Sequence, residues 1–110
     1  MIKSGQIWTT AEAADNTSTV ITITPPATKR VALHYLLFGY DKALTTTPGR
    51  LTITIDGVEV LSAPVTEAGP GPLTLPDMLS DVSGDVMVIT LTTGGTLVQG
   101  SLTSMHTLEN

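Results

Sequence analysis

The chain has no cysteine in 110 residues. Disulfide staples and thiolate metal sites are excluded, so folding rests on packing and backbone hydrogen bonds, and the fold is indifferent to redox state. Charge is scarce as well. Only 14% of residues are charged, against about 25% in ordinary domains. Lys and Arg number 5 against 10 Asp and Glu, for a net charge of −5. The adjacent basic pair Lys29-Arg30 reads as a solvated strand entry. Without basic clusters a phosphate backbone finds no hold, and no nucleic-acid partner is expected. Aromatic residues make up 4%. No apolar run approaches the ~18 residues of a membrane-crossing helix, so no membrane partner is expected. The start, MIKSGQIWTT, lacks the apolar stretch of about 7–15 residues that marks a secretory signal. The chain is therefore expected to be a complete product made in the cytosol.

Threonine fills the place of the missing charge. A β-branched, weakly polar residue suits the solvent face of a strand, and a Thr-rich surface is easier to dehydrate than one of Lys and Glu. The stretch Leu51 to Leu61, LTITIDGVEVL, spells a β-hairpin. Leu51, Ile53 and Ile55 alternate with Thr52 and Thr54, and Asp56-Gly57 tolerates the positive φ angles of a type I′ turn. A two-residue loop pairs Ile55 with Val58 and Ile53 with Val60, which puts these side chains on one face and Thr52, Thr54 and Glu59 on the other.

Thr19 to Thr24 is a β-branched run stopped by Pro25-Pro26. Val31 to Tyr40 is apolar on both parities, with Val31, Leu33, Tyr35 and Leu37 against Ala32, His34, Leu36, Phe38 and Tyr40. It reads as a central strand covered on both sides, with a helix as the competing reading. Ser62 to Gly84 reads as the irregular part of the chain: Ala68 to Pro72 cannot be regular structure, Leu73 to Leu75 reads as a short strand and Pro76 to Leu79 as a helical turn, with Ser83-Gly84 as punctuation. Val86 to Ser104 reads as a second hairpin turning at Gly94-Gly95, with Leu91 facing Val98, Ile89 facing Gly100 and Met87 facing Leu102. The sum is an all-β chain: an antiparallel β-sandwich, jelly-roll-like, of about six to eight strands. Residues 1–18 are expected to form an N-terminal arm, with one helical turn at Ala11 to Ala14, and residues 19–110 a single β-sandwich domain.

No catalytic constellation is visible. His34 and His106 lack a nearby nucleophile motif. Each reads as a buried or interfacial histidine with one satisfied nitrogen. Asp77, Asp81 and Asp85 would share one face of a helix and could meet a cation, but the segment reads more simply as a solvated acidic loop. Trp8, Tyr35, Phe38 and Tyr40 are the candidates for a sugar-stacking platform, with Trp8 and Tyr40 foremost, although three of the four lie in one strand that reads as core. No enzyme activity, cofactor or metal is expected.

Taken together, the arm MIKSGQIWTT, the strand KRVALHYLLFGY, the hairpin RLTITIDGVEVL, the Pro/Gly loop and the closing VMVITLTTGGTLVQGSL resemble the small jelly-roll decoration (cement) proteins of tailed bacteriophage capsids, or related small virion proteins. The resemblance covers the chain from Thr19 onward and is one of pattern. It implies a homotrimer that sits on the capsid surface, bound to the major capsid protein or another virion protein, and that holds the shell against internal pressure after assembly in the host cytoplasm. A tail or fibre component, or a carbohydrate- or Ca²⁺-binding module, is the alternative. Ile7 and Trp8 in the arm, with Pro70, Pro72, Leu73, Met78 and Leu79 in the Pro/Gly segment, are the expected contact residues. For Trp8 two readings stand: a contact with a partner, or a cap on its own core.

Overall fold

A computed structural model describes residues 5–14, 16–44, 48–65, 71–79, 84–95 and 97–109, with 71–79 described by their backbone. Eight strands follow one another: β1 (Ile7–Glu12), β2 (Thr19–Ile23), β3 (Arg30–Tyr40), β4 (Gly49–Ile55), β5 (Val58–Val65), β6 (Gly71–Leu79), β7 (Met87–Leu91) and β8 (Gly100–Glu109). They form two four-stranded antiparallel sheets, ordered β1-β8-β3-β6 and β2-β7-β4-β5. The pairing is nested. β4 pairs β5, β3 pairs β6, β2 pairs β7 and β1 pairs β8. This is the jelly roll, a long hairpin wrapped into two layers. Its tip is Asp56-Gly57, at φ 51° and 79°, the left-handed pair that a two-residue hairpin turn requires.

The nesting corrects the second hairpin. β7 is bonded on its two sides to β2 and β4, and β8 to β1 and β3, so the two lie in different sheets. The inward parity survives. Met87, Ile89 and Leu91 from one sheet and Leu102 from the other are all fully buried in the same core. The chain crosses between layers at Gly94-Gly95 instead of folding back beside itself, with Gly95 at φ 105°.

Two bulges change which residues face inward. In the first hairpin Ile55 pairs Val58 as expected, but the register then shifts and Ile53 pairs Leu61. Val58 and Val60 are left 66% and 47% exposed, while Leu61 and Val65 pack on the core. In β3 the shift falls at His34, between Leu33 and Tyr35. Val31 and Leu33 face the core before it, and Leu36, Phe38 and Tyr40 after it. Each face read from strict alternation is thus a mixture of the two real ones. Tyr35 and Leu37 are only half-buried on the outer side, so β3 is central in its sheet but not covered on both sides.

Neither expected helical turn forms. Ala11 and Glu12 belong to β1, which pairs β8 from Ile7↔His106 to Glu12↔Ser101. Pro76 to Leu79 belongs to β6. Gly71 and Pro72 open that strand and residues 62–65 complete β5, where an irregular segment is expected from Ser62 onward. Proline is accommodated because β6 is a sheet edge. Pro76 falls in the register jump between Leu33↔Met78 and Tyr35↔Thr74.

Tyr40 closes one end of the sandwich. It is 2% exposed, and its hydroxyl donates to the Thr92 carbonyl of the opposite layer at 2.7 Å. Its ring and hydroxyl take space that a side chain would otherwise fill: a Cβ at Gly49 would overlap the Tyr40 hydroxyl, and one at Gly94 would lie 3.0 Å from the ring. Tyr40 is therefore a pillar between layers and not part of a sugar platform. Tyr40→Phe should cost about 1 kcal/mol for the lost hydrogen bond, and Gly49→Ala about 1–3 kcal/mol from overpacking, both read by urea denaturation. A neutral Gly49→Ala would show that Tyr40 does not occupy this position.

Candidate functional site

The outer face of the β1-β8-β3-β6 sheet gathers the residues with chemical character. Trp8 and Tyr35 both stand opposite Met105, on either side of β8, so the three lie abreast in one row. Trp8 is 45% exposed although it is part of the sheet. Its ring meets that of Tyr35 edge-on, with centroids 6.0 Å apart and planes at 64°. Ile7, next to it, is 40% exposed. Trp8 thus packs outside the hydrophobic core, across the row, and the edge strand β1 carries it to one border of the face.

Beside this row runs an ordered polar chain. Thr107 Oγ1 donates to Glu109 Oε1 at 2.9 Å. A hydroxyl has one proton to give, so the 2.8 Å contact between His34 Nε2 and Thr107 Oγ1 must have His34 as donor. That fixes the Nε2–H tautomer. The chain runs from imidazole to hydroxyl to carboxylate and orients all three groups. It does not activate Thr107, because the imidazole gives a proton to that oxygen instead of taking one. His34 is half-buried on this outer side, with one nitrogen satisfied in the way its sequence context implied.

His106 lies on the inward side of β8, opposite Leu33, and is 5% exposed. Its Nδ1 is buried with no hydrogen-bond partner. Burial holds its imidazole below the ordinary value of 6.5, and repulsion from His34 lowers it further.

At the opposite end of the sheet, Glu12, Tyr40, Asp41, Gln99 and Ser101 border an open cleft of about 310 Å³. Asp41 Oδ1 there accepts the Gln99 backbone N–H at 2.9 Å. Its role is to tie the β3–β4 connection to the strand β8 entry. Among the described residues no group of three or more His, Asp or Glu is placed to hold a metal ion. Asp77 stands on β6, which removes the helical face on which it would have joined Asp81 and Asp85. Asp81 lies outside the described residues.

The two segments read as contact regions turn out to be the two edges of this one sheet. Ile7 and Trp8 are on β1, and Pro72, Leu73, Met78 and Leu79 are on β6, at the register positions of Leu37, Leu36, Leu33 and Ala32. Pro70 lies outside the described residues. Tyr35, Met105, His34, Thr107 and Glu109 were not singled out as one cluster from sequence. Only the β1–β8 pairing, across almost the whole chain, brings Trp8 beside them.

No family model and no curated protein matches this chain. Solved structures share its general fold. One is the CBM36-1 domain of a multidomain xylanase from the hindgut metagenome of Trinervitermes trinervoides, at 11% identity, covering 88% of this chain and 73% of that one, with a TM-score of 0.47. A second is a carbohydrate-binding module CBM36 in complex with calcium and xylotriose, at 16% identity, 90% and 78% coverage and a TM-score of 0.45. A third is the Tobacco streak virus coat protein, at 14% identity, 97% and 89% coverage and a TM-score of 0.43. These likenesses concern architecture alone.

The buried imidazole sets a pH dependence. Because His106 is depressed below 6.5 in the folded chain, the unfolded chain takes up a proton first as pH falls, and stability present above pH 6.5 is lost below it. His106→Leu should flatten the decline in melting temperature between pH 7 and pH 5. An unchanged slope in that variant would mean that the imidazole is not buried neutral.

Proposed function

We propose that this chain is a structural virion protein that decorates a capsid lattice, docking through the outer face of the β1-β8-β3-β6 sheet. Its action is binding and not turnover, its partners are shell protein and neighbouring copies of itself, and its place is the capsid surface. Jelly rolls serve in viral shells and in lectins alike, so the fold does not choose between these roles. The observation that carries the reading is Trp8, 45% exposed and braced edge-on by Tyr35 with Met105 between them in the row. Trp, Tyr and Met are the residue types enriched where interfaces lose water, and a ring already held in place costs little ordering on binding. The charge-poor surface lowers the desolvation cost of each contact, and repetition over a shell multiplies modest affinities.

The 64° between the two rings bears on the carbohydrate alternative. A sugar stacks on a flat aromatic surface, and rings so inclined do not present one common plane.

Trp8→Ala provides the test. Binding to assembled shells of the phage that encodes the chain should fall at least about 30-fold, the loss expected for a hot-spot residue worth about 2 kcal/mol. Melting should change little, because Trp8 packs outside the core cluster. Unchanged co-sedimentation with shells would remove Trp8 from the interface, and unfolding would make it a cap on its own domain. Trp8-dependent binding of oligosaccharides, with no binding to shells, would establish the lectin-like alternative.

A further inference from the structure

The other sheet also has an open face, and its composition differs. Across the middle of β2-β7-β4-β5 runs the outward row Val20–Thr90–Thr52–Ser62. Val20 is 47% exposed, and the row contains no charge. Among the described residues at outward positions on these strands, the charges are Arg50, one row to one side, and Glu59, one row to the other. The face is therefore neutral on a chain whose net charge is −5. Its two charges stand on adjacent strands, about 14 Å apart by strand geometry, too far to pair with each other. Arg50 Nη1 instead donates to Ser62 Oγ at 2.7 Å, which holds the guanidinium over the face.

We infer that this face is a self-association surface, on which two copies pack about a two-fold axis running along the Val20–Ser62 row, with Arg50 of each copy over Glu59 of the other. An isologous contact needs a self-complementary patch. Opposite charges set symmetrically about an uncharged row meet that requirement. Two acidic copies repel through most of their surface, so a neutral face is where they approach at least electrostatic cost. The footprint, four strands wide and three rows deep, is about 400 Å², half the ~800 Å² per partner of a standard interface. The association is accordingly weak, with dissociation constants of about 10–1,000 µM, and gains force where copies are crowded. This inference does not depend on docking through Trp8.

Sedimentation equilibrium from about 10 µM to 1 mM tests it with charge reversals. Arg50→Glu and Glu59→Arg should each weaken dimerisation at least about tenfold. The double variant should recover it to within about threefold. Both residues are exposed, so melting should not move. Thr52→Lys, which sets like charges against each other at the axis, should abolish the dimer even if a reversal variant fails to fold. A strict monomer at the highest concentration, or a dimer indifferent to all of these changes, would overturn the inference. So would a trimer that ignores them, and that outcome would leave the shell-docking proposal standing.

Discussion

Everything in this fold depends on nested strand pairing about the Asp56-Gly57 turn. The turn lies near the middle of the chain, and β4–β5, β3–β6, β2–β7 and β1–β8 are successive pairs outward from it. Each pair encloses the one inside it, and successive pairs fall in alternate sheets. The outermost pair joins residues about a hundred positions apart, Ile7 with His106. Closing such a loop is entropically costly, although the cost grows only slowly with length. The burial of Leu33, Leu36, Leu51, Ile53, Met87, Ile89, Leu91 and Leu102 offsets it, at about 1.5–3 kcal/mol for each large side chain fully buried.

The same nesting builds the surfaces. Pairing β1 with β8 and β8 with β3 sets Trp8, Met105 and Tyr35 side by side, residues from three remote parts of the chain. The bulge at His34 then turns Tyr35 outward while Leu36 turns in. Without that extra residue, strict alternation would carry Tyr35 to the core side and leave Trp8 unbraced. The ladder of Val and Thr on the opposite sheet follows from plain alternation, because β2, β4 and β7 keep their period of two between bulges. One face thus carries aromatic and ionisable groups, while the other is Thr-rich and neutral.

What could be read from sequence follows the range of the interaction. The Asp56-Gly57 turn, the strands β2, β3 and β4 and the inward parity of Met87, Ile89, Leu91 and Leu102 are local, and were legible. Which strands pair was not: the Gly94-Gly95 sequence is equally compatible with a turn and a crossing, and only competition for the edges of β7 and β8 decides it. The bulges at His34 and Val60 carry no signature of their own, so strict alternation predicts Val60 inward where Leu61 takes that place. Likewise Tyr40 is as aromatic as Tyr35, and burial behind Gly49 and Gly94 distinguishes them only in three dimensions. Trp8 is legible as an anchor and Tyr35 as an aromatic candidate beside it, but their meeting across Met105 is not, because it needs the β1–β8 pairing and the His34 bulge.

The most direct test of the nested arrangement is a cross-link between its outermost strands. Thr10 and Thr103 face each other across β1 and β8 with hydroxyls 3.3 Å apart. The chain contains no other thiol to interfere. Thr10→Cys with Thr103→Cys, oxidised in the folded state, should form an intramolecular disulfide. It should raise stability by up to about 4–5 kcal/mol, as expected for closing a loop of that length. A folded protein whose two cysteines stay reduced under oxidant, or cross-link only between molecules, would contradict the pairing of β1 with β8 and the faces that depend on it.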